Sequence, residues 1–296
     1  MRITQSMLAA NSLRNISSSY ERLGKLQNQL STGKKITKPS DDPVVAMKGM
    51  YYRSDLVGVE QYKRNLSELR LWMDNSESGM QQANSALQRI RELVVKGKND
   101  TLTPEDRKAV AVEVDQLKQD LVKTANTQVA GRYIFHGTDV KNPPVKSENP
   151  PTVADNLTDP AINNYTVEVS RGVSLKANVN PANVFSQQLF DVVGGIQKAL
   201  EDNNSASLDS SLSDLDKVMG TMSAERSELG ARSNRLDMVE NRIGQQEVMA
   251  NQVLSDNEDA SIEEVITNLT TQESVQRAAL SVGARIIQPS LLDFLR

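Results

Sequence analysis

The feature that most constrains the fold of this sequence is a long helical stripe in its first third. Apolar or small side chains recur there at steps of three and four residues: Leu66, Leu69, Met73, Ser76, Met80, Ala83, Leu87, Ile90 and Val94. This spacing places them on one helix face. Start signals at Asp42 and Pro43 and a stop at Gly97 predict one helix of about 80 Å at about 1.5 Å per residue. Such a helix needs a partner helix of similar length to bury its stripe.

A second long helix is predicted over about residues 207–254. Its stripe consists of Leu208, Leu212, Leu215, Met219, Met222, Leu229, Leu236, Ile243, Ala250 and Leu254. Shorter helices are predicted from Pro104 to about Gln128, with Thr103 as the N-cap, and over residues 184–200. The two long stripes are the expected partners of a coiled coil.

The two ends of the chain carry further helical stripes. The first helix is ended by Gly33, and its stripe, which Gln27 interrupts, is Leu13, Ile16, Tyr20, Leu23 and Leu30. The last helix is predicted over residues 262–287, after a capping-box pair at Ser261 and Glu264, and its stripe includes Ile262, Ile266, Leu269, Leu280 and Ile287. An unpaired stripe must find a partner, which is typical of an assembly protein. An intramolecular coiled coil without an assembly role is the alternative.

The middle of the chain has a different pattern. Half of its ten prolines lie between Pro143 and Pro160. Two alternating stretches follow, on either side of Arg171-Gly172: Tyr165, Val167 and Val169, then Val173, Leu175, Ala177 and Val179. They predict a β-hairpin in a small insert over residues 136–182. The predicted fold is therefore mainly α: a long α-helical coiled-coil rod formed by N- and C-terminal segments, with a small β-rich insert.

Composition excludes most enzyme classes. The chain has no Cys and one His, so thiol nucleophiles, thiolate metal sites, disulfides and two-His metal sites are excluded. Aromatic residues make up only 4%, which favours thin helical packing over a large globular core. No enzymatic activity, cofactor or metal is predicted.

The remaining candidate sites have plain structural interpretations. His136 is expected to be an exposed or half-packed residue, since no catalytic motif surrounds it. Two acidic clusters, Asp41-Asp42 and the group Asp256, Glu258 and Asp259, each precede a predicted helix. N-capping is therefore favoured over calcium binding. No catalytic, cofactor-binding or metal-binding residue is predicted.

Charge is distributed unevenly along the chain. Residues 1–60 carry nine basic and five acidic side chains, whereas residues 201–296 carry eight basic and 17 acidic ones. The net charge of −4 does not indicate nucleic-acid binding. Residues 1–30 lack the apolar stretch of a cleavable signal peptide, and no apolar run is long enough to span a bilayer. Neither a cleaved signal nor a membrane span is expected.

Several segments together resemble the bacterial flagellins. The segments that carry the resemblance are Leu30–Ile36 (LSTGKKI), Pro39–Pro43 (PSDDP), Leu87–Leu93 (LQRIREL), Arg226–Ala231 (RSELGA), Asn234–Leu236 (NRL) and Leu291–Arg296. Three further features resemble those members of the family that join the hook to the filament: Met1–Thr4, Asp42-Pro43 and Gly131–Thr138. The resemblance covers roughly residues 1–138 and 205–296.

This resemblance implies a structural adaptor at the hook–filament junction of the flagellum. The implied partners are the first hook-associated protein, flagellin, further copies of the same chain in a ring, and an export chaperone at the C-terminal helices. It also implies a monomer before assembly and an extracellular location reached by export without a cleaved signal peptide. No nucleic-acid or membrane partner is implied. Filament flagellin itself and a non-flagellar coiled-coil binding module are the alternatives.

The resemblance also implies a layered, flagellin-like layout. Residues 1–41 with 255–296 would form an inner coiled coil, residues 42–135 with 183–254 a helical rod, and residues 136–182 an outer insert. The terminal stripe residues would then be subunit-packing residues. Because these stripes lack partners in a free chain, both ends are expected to be largely disordered before assembly.

Overall fold

The computed structural model describes residues 5–99, 102–159 and 161–287. The chain forms two compact units. Residues 1–58 with 246–296 make the first unit, and residues 59–245 make the second.

The helices follow the predicted order. They are α1 (Gln5–Thr32), α2 (Pro43–Gly97), α3 (Pro104–Ala125), α4 (Pro181–Val184), α5 (Gln187–Glu201), α6 (Ser205–Glu258) and α7 (Ile262–Ile287). In the described part of the chain, the strands pair as antiparallel ribbons: β1 (Gln128–Val129) with β2 (Arg132–Tyr133), β3 (Val145–Lys146) with β4 (Thr152–Val153), and β5 (Thr166–Ser170) with β6 (Val173–Lys176). The predicted mainly α fold with a small strand-containing region is confirmed.

Both predicted ends of α2 are confirmed. The side chain of Asp42 accepts a hydrogen bond from the amide of Val44 at 2.9 Å, and Pro43 is the first helical residue, where its missing N–H costs nothing. At the other end, a Cβ added to Gly97 would lie 2.5 Å from the Leu200 side chain. Glycine therefore both ends the helix and makes room for a core side chain.

The start of α3 is capped as its sequence predicts. The Thr103 hydroxyl accepts from the Asp106 amide at 3.2 Å, and the Asp106 carboxylate accepts in turn from the Thr103 amide at 3.3 Å. The Thr103 hydroxyl also donates to the Asp106 carboxylate at 2.8 Å. This hydrogen bond first, and then that from the Thr103 amide, hold the pKa of Asp106 below its ordinary value. This reciprocal arrangement satisfies two amides that the first turn of a helix leaves without partners.

The predicted heptad stripe forms the core of the second unit. All nine stripe residues of α2 from Leu66 to Val94 are at most 2% exposed. Along α6, the residues at every seventh position from Leu208 to Ile243 are equally buried. Burying each Leu, Ile, Val or Met side chain of these stripes contributes about 1.5–3 kcal/mol, so this seam supplies much of the stability of the unit.

Ion pairs flank the seam between α2 and α6 in the second unit. Arg91 Nε lies 2.8 Å from Asp216 Oδ1, and Arg70 binds both Asp237 and Glu240. Higher residue numbers on α2 face lower numbers on α6, so the two helices are antiparallel. Since these side chains are largely exposed, the pairs fix register more than they add stability.

The insert contains the predicted hairpin. β5 and β6 pair antiparallel around Gly172, whose φ of +73° suits glycine. Strand structure begins earlier than the predicted boundary at residue 136, because β1 and β2 form a ribbon directly after α3. As a result α3 ends at Ala125, short of the predicted Gln128.

Aromatic side chains attach the insert to α2 within the second unit. Phe135 packs edge-to-face on Phe185, with ring centroids 4.9 Å apart, and a Cβ on Gly79 would lie 2.7 Å from the Phe135 ring. Trp72 contacts Tyr165 with ring centroids 5.5 Å apart. The surface of α2 therefore has a gap at Gly79 that accommodates the ring of Phe135, the residue directly before the insert.

Two further predicted helix boundaries are wrong. The helix expected over residues 184–200 is divided, because the Ser186 hydroxyl accepts from the Leu189 amide at 3.2 Å and starts a new helix, α5. The acidic cluster near Asp256 does not interrupt α6, which continues to Glu258. The first difference comes from a local cap, whereas at the end of α6 Glu258 has distant partners, Arg53 and Lys35.

Candidate functional site

In the first unit, the loop between α1 and α2 lies against the turn between α6 and α7. The amide of Ala260 donates to the carbonyl of Gly33 at 2.9 Å, and the amide of Lys35 donates to the carbonyl of Glu258 at 2.6 Å. Gly33 has a φ of +69°, a left-handed conformation that glycine adopts without steric cost. The residue that ends α1 therefore also presents its carbonyl to the turn before α7.

Lys34 and Asp259 form an isolated antiparallel bridge at the same contact. Lys34 Nζ donates to Asp259 Oδ1 at 2.6 Å, and Ser255 Oγ donates to Oδ2 at 2.6 Å. These bonds, Lys34 first, lower the pKa of the Asp259 carboxyl. Residues 33–35 with 258–260 are named the loop latch below.

A buried carboxylate connects the loop latch to α2. Glu258 is 4% exposed, and its carboxylate accepts from Arg53 Nη2 at 2.7 Å and lies 3.7 Å from Lys34 Nζ. A Cβ on Gly49 would lie 2.4 Å from Glu258 Oε1. The absence of a side chain at Gly49 therefore makes room for a charge that must be paired to be buried.

Asp41 and Asp42, the two acidic residues before α2, have different structural roles. Asp42 caps α2 as predicted, whereas Asp41 closes the preceding loop. Its carboxylate accepts from the amides of Lys38 at 3.0 Å and Thr37 at 3.2 Å. These backbone hydrogen bonds, with Lys38 the larger cause, lower the pKa of Asp41.

The second acidic cluster does not have the predicted N-capping role. Glu258 is the last residue of α6 and pairs with Arg53, while Asp259 binds Lys34 and Ser255. Within the described residues, no group of three His, Cys, Asp or Glu side chains is placed to hold a metal ion. The cluster connects segments from opposite ends of the chain instead.

Helices α1 and α7 of the first unit pair in antiparallel orientation. The end of α1 meets the start of α7 at the loop latch, and Gln272 Nε2 donates to Ser19 Oγ at 2.6 Å further along. The α7 residues turned toward α1 are buried or half-buried: Val265, Leu269, Gln272, Gln276, Ala279 and Gly283. On α1 the corresponding residues are Ala9, Ser12, Ile16, Ser19, Leu23, Leu26 and Leu30.

This seam differs in register from the predicted stripe of α1. Ile16, Leu23 and Leu30 lie in it and are half-buried, but Leu13 is 65% exposed and Tyr20 is 56% exposed. Ser12 and Ser19, which are not stripe residues, face α7 in this seam. Leu13 and Tyr20 lie outside the seam.

The predicted packing residues of α7 divide in the same way. Leu269 is half-buried against α1, whereas Ile262, Ile266 and Leu280 are 42%, 45% and 43% exposed. Ile287 ends the helix, and its side chain lies outside the described residues. The assignment of these residues to subunit packing stays a prediction, as does the expected disorder of both ends in a free chain.

Sequence reasoning missed the loop latch. Lys34, Glu258 and Gly49 carry no helical periodicity, and their partners are distant in the chain. One signal was available: residues 33–36 and 39–43 belong to the segments that resemble flagellins, although they lie outside every apolar stripe.

His136 is buried rather than exposed or half-packed. It is 1% exposed, its Nδ1 donates to the carbonyl of Asn142 at 2.7 Å, and its Nε2 lies 2.9 Å from Asn156 Oδ1. The imidazole thus joins three segments of the insert and has a structural role.

Among the described helices, none is both long and apolar enough to cross a membrane.

Two family models match the chain. The bacterial flagellin N-terminal helical region matches residues 3–139, and the bacterial flagellin C-terminal helical region matches residues 212–295. These ranges include the loop latch, both terminal helices and most of the α2–α6 seam. The chain therefore belongs to the bacterial flagellin family.

Within this family the chain is similar, at nearly full length, to flagellar hook-associated protein 3. The protein of that name from Escherichia coli strain K12 is 24% identical, over 94% of this chain and 95% of that protein. Its counterpart from Salmonella typhimurium strain LT2 is also 24% identical, over the same shares of each chain. A flagellin of Clostridium tyrobutyricum is 32% identical, over 43% of this chain and 34% of that protein.

Solved structures share the fold. The flagellar junction protein FlgL from Legionella pneumophila superposes with a TM-score of 0.56 at 15% identity, over 72% of this chain and 100% of that one. FlgL from Bacillus cereus gives a TM-score of 0.59 at 20% identity, over 69% of this chain and 99% of that one. At these identities the likeness establishes the fold.

Proposed function

We propose that this chain is the structural adaptor that joins the flagellar hook to the flagellin filament. The observation that carries the proposal is similarity along almost the whole length of both chains to hook-associated protein 3 from two bacteria. The shared fold with a flagellar junction protein supports it. The relatives are structural flagellar proteins, and we assign this chain no enzymatic activity.

The proposed mechanism is burial of helix faces between subunits. Outside the α1–α7 seam, the terminal helices expose large apolar side chains: Leu13, Tyr20, Ile262, Ile266 and Leu280. Removing such surface from water contributes about 25 cal/mol per Å². A chain whose own seam leaves these residues exposed gains stability from a neighbouring subunit.

The proposed partners follow from a place at a junction. The first hook-associated protein would contact one side of a ring of copies, and flagellin would contact the other. Before assembly the chain would be a monomer, with an export chaperone covering the C-terminal helices. It would leave the cell through the flagellar export apparatus without a cleaved signal peptide and function in the extracellular flagellum.

We further propose that the chain is layered in the assembled flagellum. Residues 1–41 with 255–296 would form the inner coiled coil, residues 42–135 with 183–254 the rod, and residues 136–182 the outer insert. The exposed apolar residues of α1 and α7, which belong to the innermost segments, support this layout.

Deletion of the gene in its host tests the proposal. Cells that make hooks without filaments and release flagellin into the medium would support the junction role, and the wild-type gene supplied in trans should restore filaments. Normal filaments on the deletion strain would refute it.

Filament flagellin is the second candidate, favoured by the 32% identity with the Clostridium tyrobutyricum flagellin. Purified chain at increasing concentration separates the two functions. A flagellin polymerises alone into long filaments, whereas a junction adaptor does not.

A further inference from the structure

In the second unit, each long helix carries another stripe on the face turned away from the buried seam. On α2 its members stand two positions before the buried stripe residues from Leu66 to Met80. Two residues turn a helix by about 200°, so these positions lie on the opposite face. All of them are exposed: Arg64, Ser67, Leu71, Asp74 and Ser78. This set is named the α2 outer stripe.

A similar set on α6 is also exposed and is named the α6 outer stripe. Its members are Ala231, Arg235, Met238, Arg242 and Gln245. Three of them stand two positions after the buried seam residues Leu229, Leu236 and Ile243, and the two arginines flank that line. Since both outer stripes lie opposite the α2–α6 seam, they point away from each other within one chain.

Both outer stripes carry groups that their own chain leaves without a partner. Leu71 is 53% exposed and Met238 is 66% exposed. Within the part of the chain that the structure describes, Asp74, Arg235 and Arg242 form no ion pair. Methionine and arginine are enriched at protein interfaces. These stripes therefore have the composition of contact surfaces, with an acidic group on α2 and basic groups on α6.

The two outer stripes match each other in antiparallel register. Both advance by steps of three and four residues, in the same order when α6 is followed backwards from Gln245. With Leu71 placed opposite Met238, the opposed pairs are Leu71–Met238, Asp74–Arg235, Ser78–Ala231, Ser67–Arg242 and Arg64–Gln245. An apolar contact then lies beside an ion pair and a pair of small residues, and no like charges lie directly opposite each other.

The two stripes also lie at the same level along the helices. Arg70, next to Leu71, binds Asp237, next to Met238. Leu71 and Met238 are therefore at one level of the antiparallel α2–α6 pair. Copies related by rotation about an axis parallel to these helices keep that level. The α6 outer stripe of one copy then meets the α2 outer stripe of the next copy without any shift along the helix.

We propose that neighbouring copies of this chain pack the α6 outer stripe of one on the α2 outer stripe of the next, with Leu71 against Met238 and Asp74 paired with Arg235. Two different surfaces that meet in this way form a ring when the rotation closes. The inference rests on the proposed function, because it needs the ring of copies at the junction. It uses residues of the second unit only, so it does not depend on the terminal helices.

Disulfide cross-linking tests the contact, because the chain has no Cys of its own. The double variant Leu71→Cys with Met238→Cys is expressed in the deletion strain. Isolated flagella are oxidised with copper phenanthroline and blotted for this chain after a non-reducing gel. A disulfide needs Cα atoms within about 7 Å, and the two stripes point away from each other in one chain. The expected result is a ladder of linked chains that a reducing agent removes.

Matched variants control for random cross-linking. Each single Cys variant should give monomer only, because the contact joins two different stripes. Leu71→Cys with Thr221→Cys should also give no ladder. Thr221 is exposed on α6 but lies about 25 Å along the helix from Met238 at about 1.5 Å per residue. The contact is wrong if this control pair gives the same ladder, or if the Leu71–Met238 pair restores filaments without one.

Charge reversal gives a second measurement that needs no cysteine. Asp74→Arg or Arg235→Glu alone should remove most filaments from complemented cells. The two changes together should restore filaments, because opposite charges meet again. Fluorescence of Trp72, the single tryptophan of the chain, monitors folding of the second unit. Full filaments with either single change, or no recovery with both in a folded chain, would overturn the contact.

These outcomes are distinct from failure of the proposed function. Normal filaments on the deletion strain would refute the junction role itself. Filaments that depend on the wild-type gene, together with a negative result for the Leu71–Met238 and Asp74–Arg235 pairs, would refute only this contact between copies.

Discussion

The carboxylate of Glu258 lies where a side chain at position 49 would be, because a Cβ on Gly49 would lie 2.4 Å from Glu258 Oε1. One residue is in the second turn of α2, and the other ends α6. The contact couples the start of one long helix to the end of the other within the first unit. It also explains how a buried carboxylate can lie near both Arg53 and Lys34.

Gly49→Ala should therefore destabilise the first unit. The added methyl group displaces the Glu258 carboxylate from Arg53, and loss of a charged hydrogen bond costs about 1.5–3 kcal/mol. Hydrogen exchange of the Lys35 amide, which donates to the Glu258 carbonyl, should accelerate. Gly58→Ala is the matched control on the same helix, because no atom lies within 4 Å of a Cβ there. Equal exchange in the two variants would argue against this steric coupling.

Gly79→Ala should destabilise the second unit. A methyl group at this position overlaps the Phe135 ring, which Phe185 holds from another side, and overpacking of a core typically costs about 1–3 kcal/mol. Urea unfolding followed by Trp72 fluorescence measures the change. Gly230→Ala, exposed on α6 and without a neighbour within 4 Å, should be neutral or slightly stabilising. A Gly79→Ala midpoint at or above that of the control would contradict the predicted clash.

The loop latch should weaken in acid. The pKa of Asp259 is lowered in the folded chain, chiefly by Lys34. Its contribution is therefore present above the unfolded carboxyl pKa of about 3.9 and is lost as the pH falls through the lower folded value. The protection of the latch amides, measured as the exchange rate relative to the intrinsic rate at each pH, should fall in this range. Asp259→Asn should already exchange faster at neutral pH and lose much of the pH response.

A matched control for the latch is Asp256→Asn. It removes a nearby carboxylate but keeps the Lys34–Asp259 pair, so its exchange should retain the wild-type dependence on pH. If Asp256→Asn and Asp259→Asn showed the same dependence of hydrogen exchange on pH, the stability of the loop latch would depend on the overall negative charge of the turn rather than on the Lys34–Asp259 ion pair.

Leu13→Asp should affect assembly without affecting stability. Leu13 is 65% exposed, and a substitution on an exposed surface usually changes the free energy of unfolding by less than about 0.5 kcal/mol. Under the proposed function, a charge on a subunit-packing face should prevent filament attachment. The test is thermal unfolding of the purified chain together with complementation of the deletion strain. Arg14→Asp controls for added negative charge beside the stripe, and filaments with Leu13→Asp would remove this residue from the proposed interface.

Elements controlled by local spacing were predicted well. Every α2 position from Leu66 to Val94 in the heptad pattern is buried, because a period near 3.5 residues aligns side chains on one helix face whatever the partner is. Asp42 with Pro43 set one helix start, and Gly33 set one helix end. Capping depends on backbone groups within a few residues, so sequence alone contains the necessary information.

The terminal helices show the limit of such reasoning. Apolar periodicity selected Leu13 and Tyr20 as stripe residues of α1, but the α1 residue that is buried within this chain is Ser19. The pattern identifies an apolar stripe without saying whether it faces the same chain or another subunit. His136 shows a similar limit, since its two hydrogen-bond partners come from loops whose paths the sequence does not specify.

The sequence by itself determined the long helices, their caps, the β5–β6 hairpin and membership of the flagellin family, because these depend on local spacing and contiguous motifs. Only the tertiary structure decided that Glu258 lies over Gly49, that Lys34 pairs with Asp259, and that α1 and α7 meet through a partly polar seam. These contacts join residues from opposite ends of the chain. Their geometry depends on how two long helices align, which no local pattern contains.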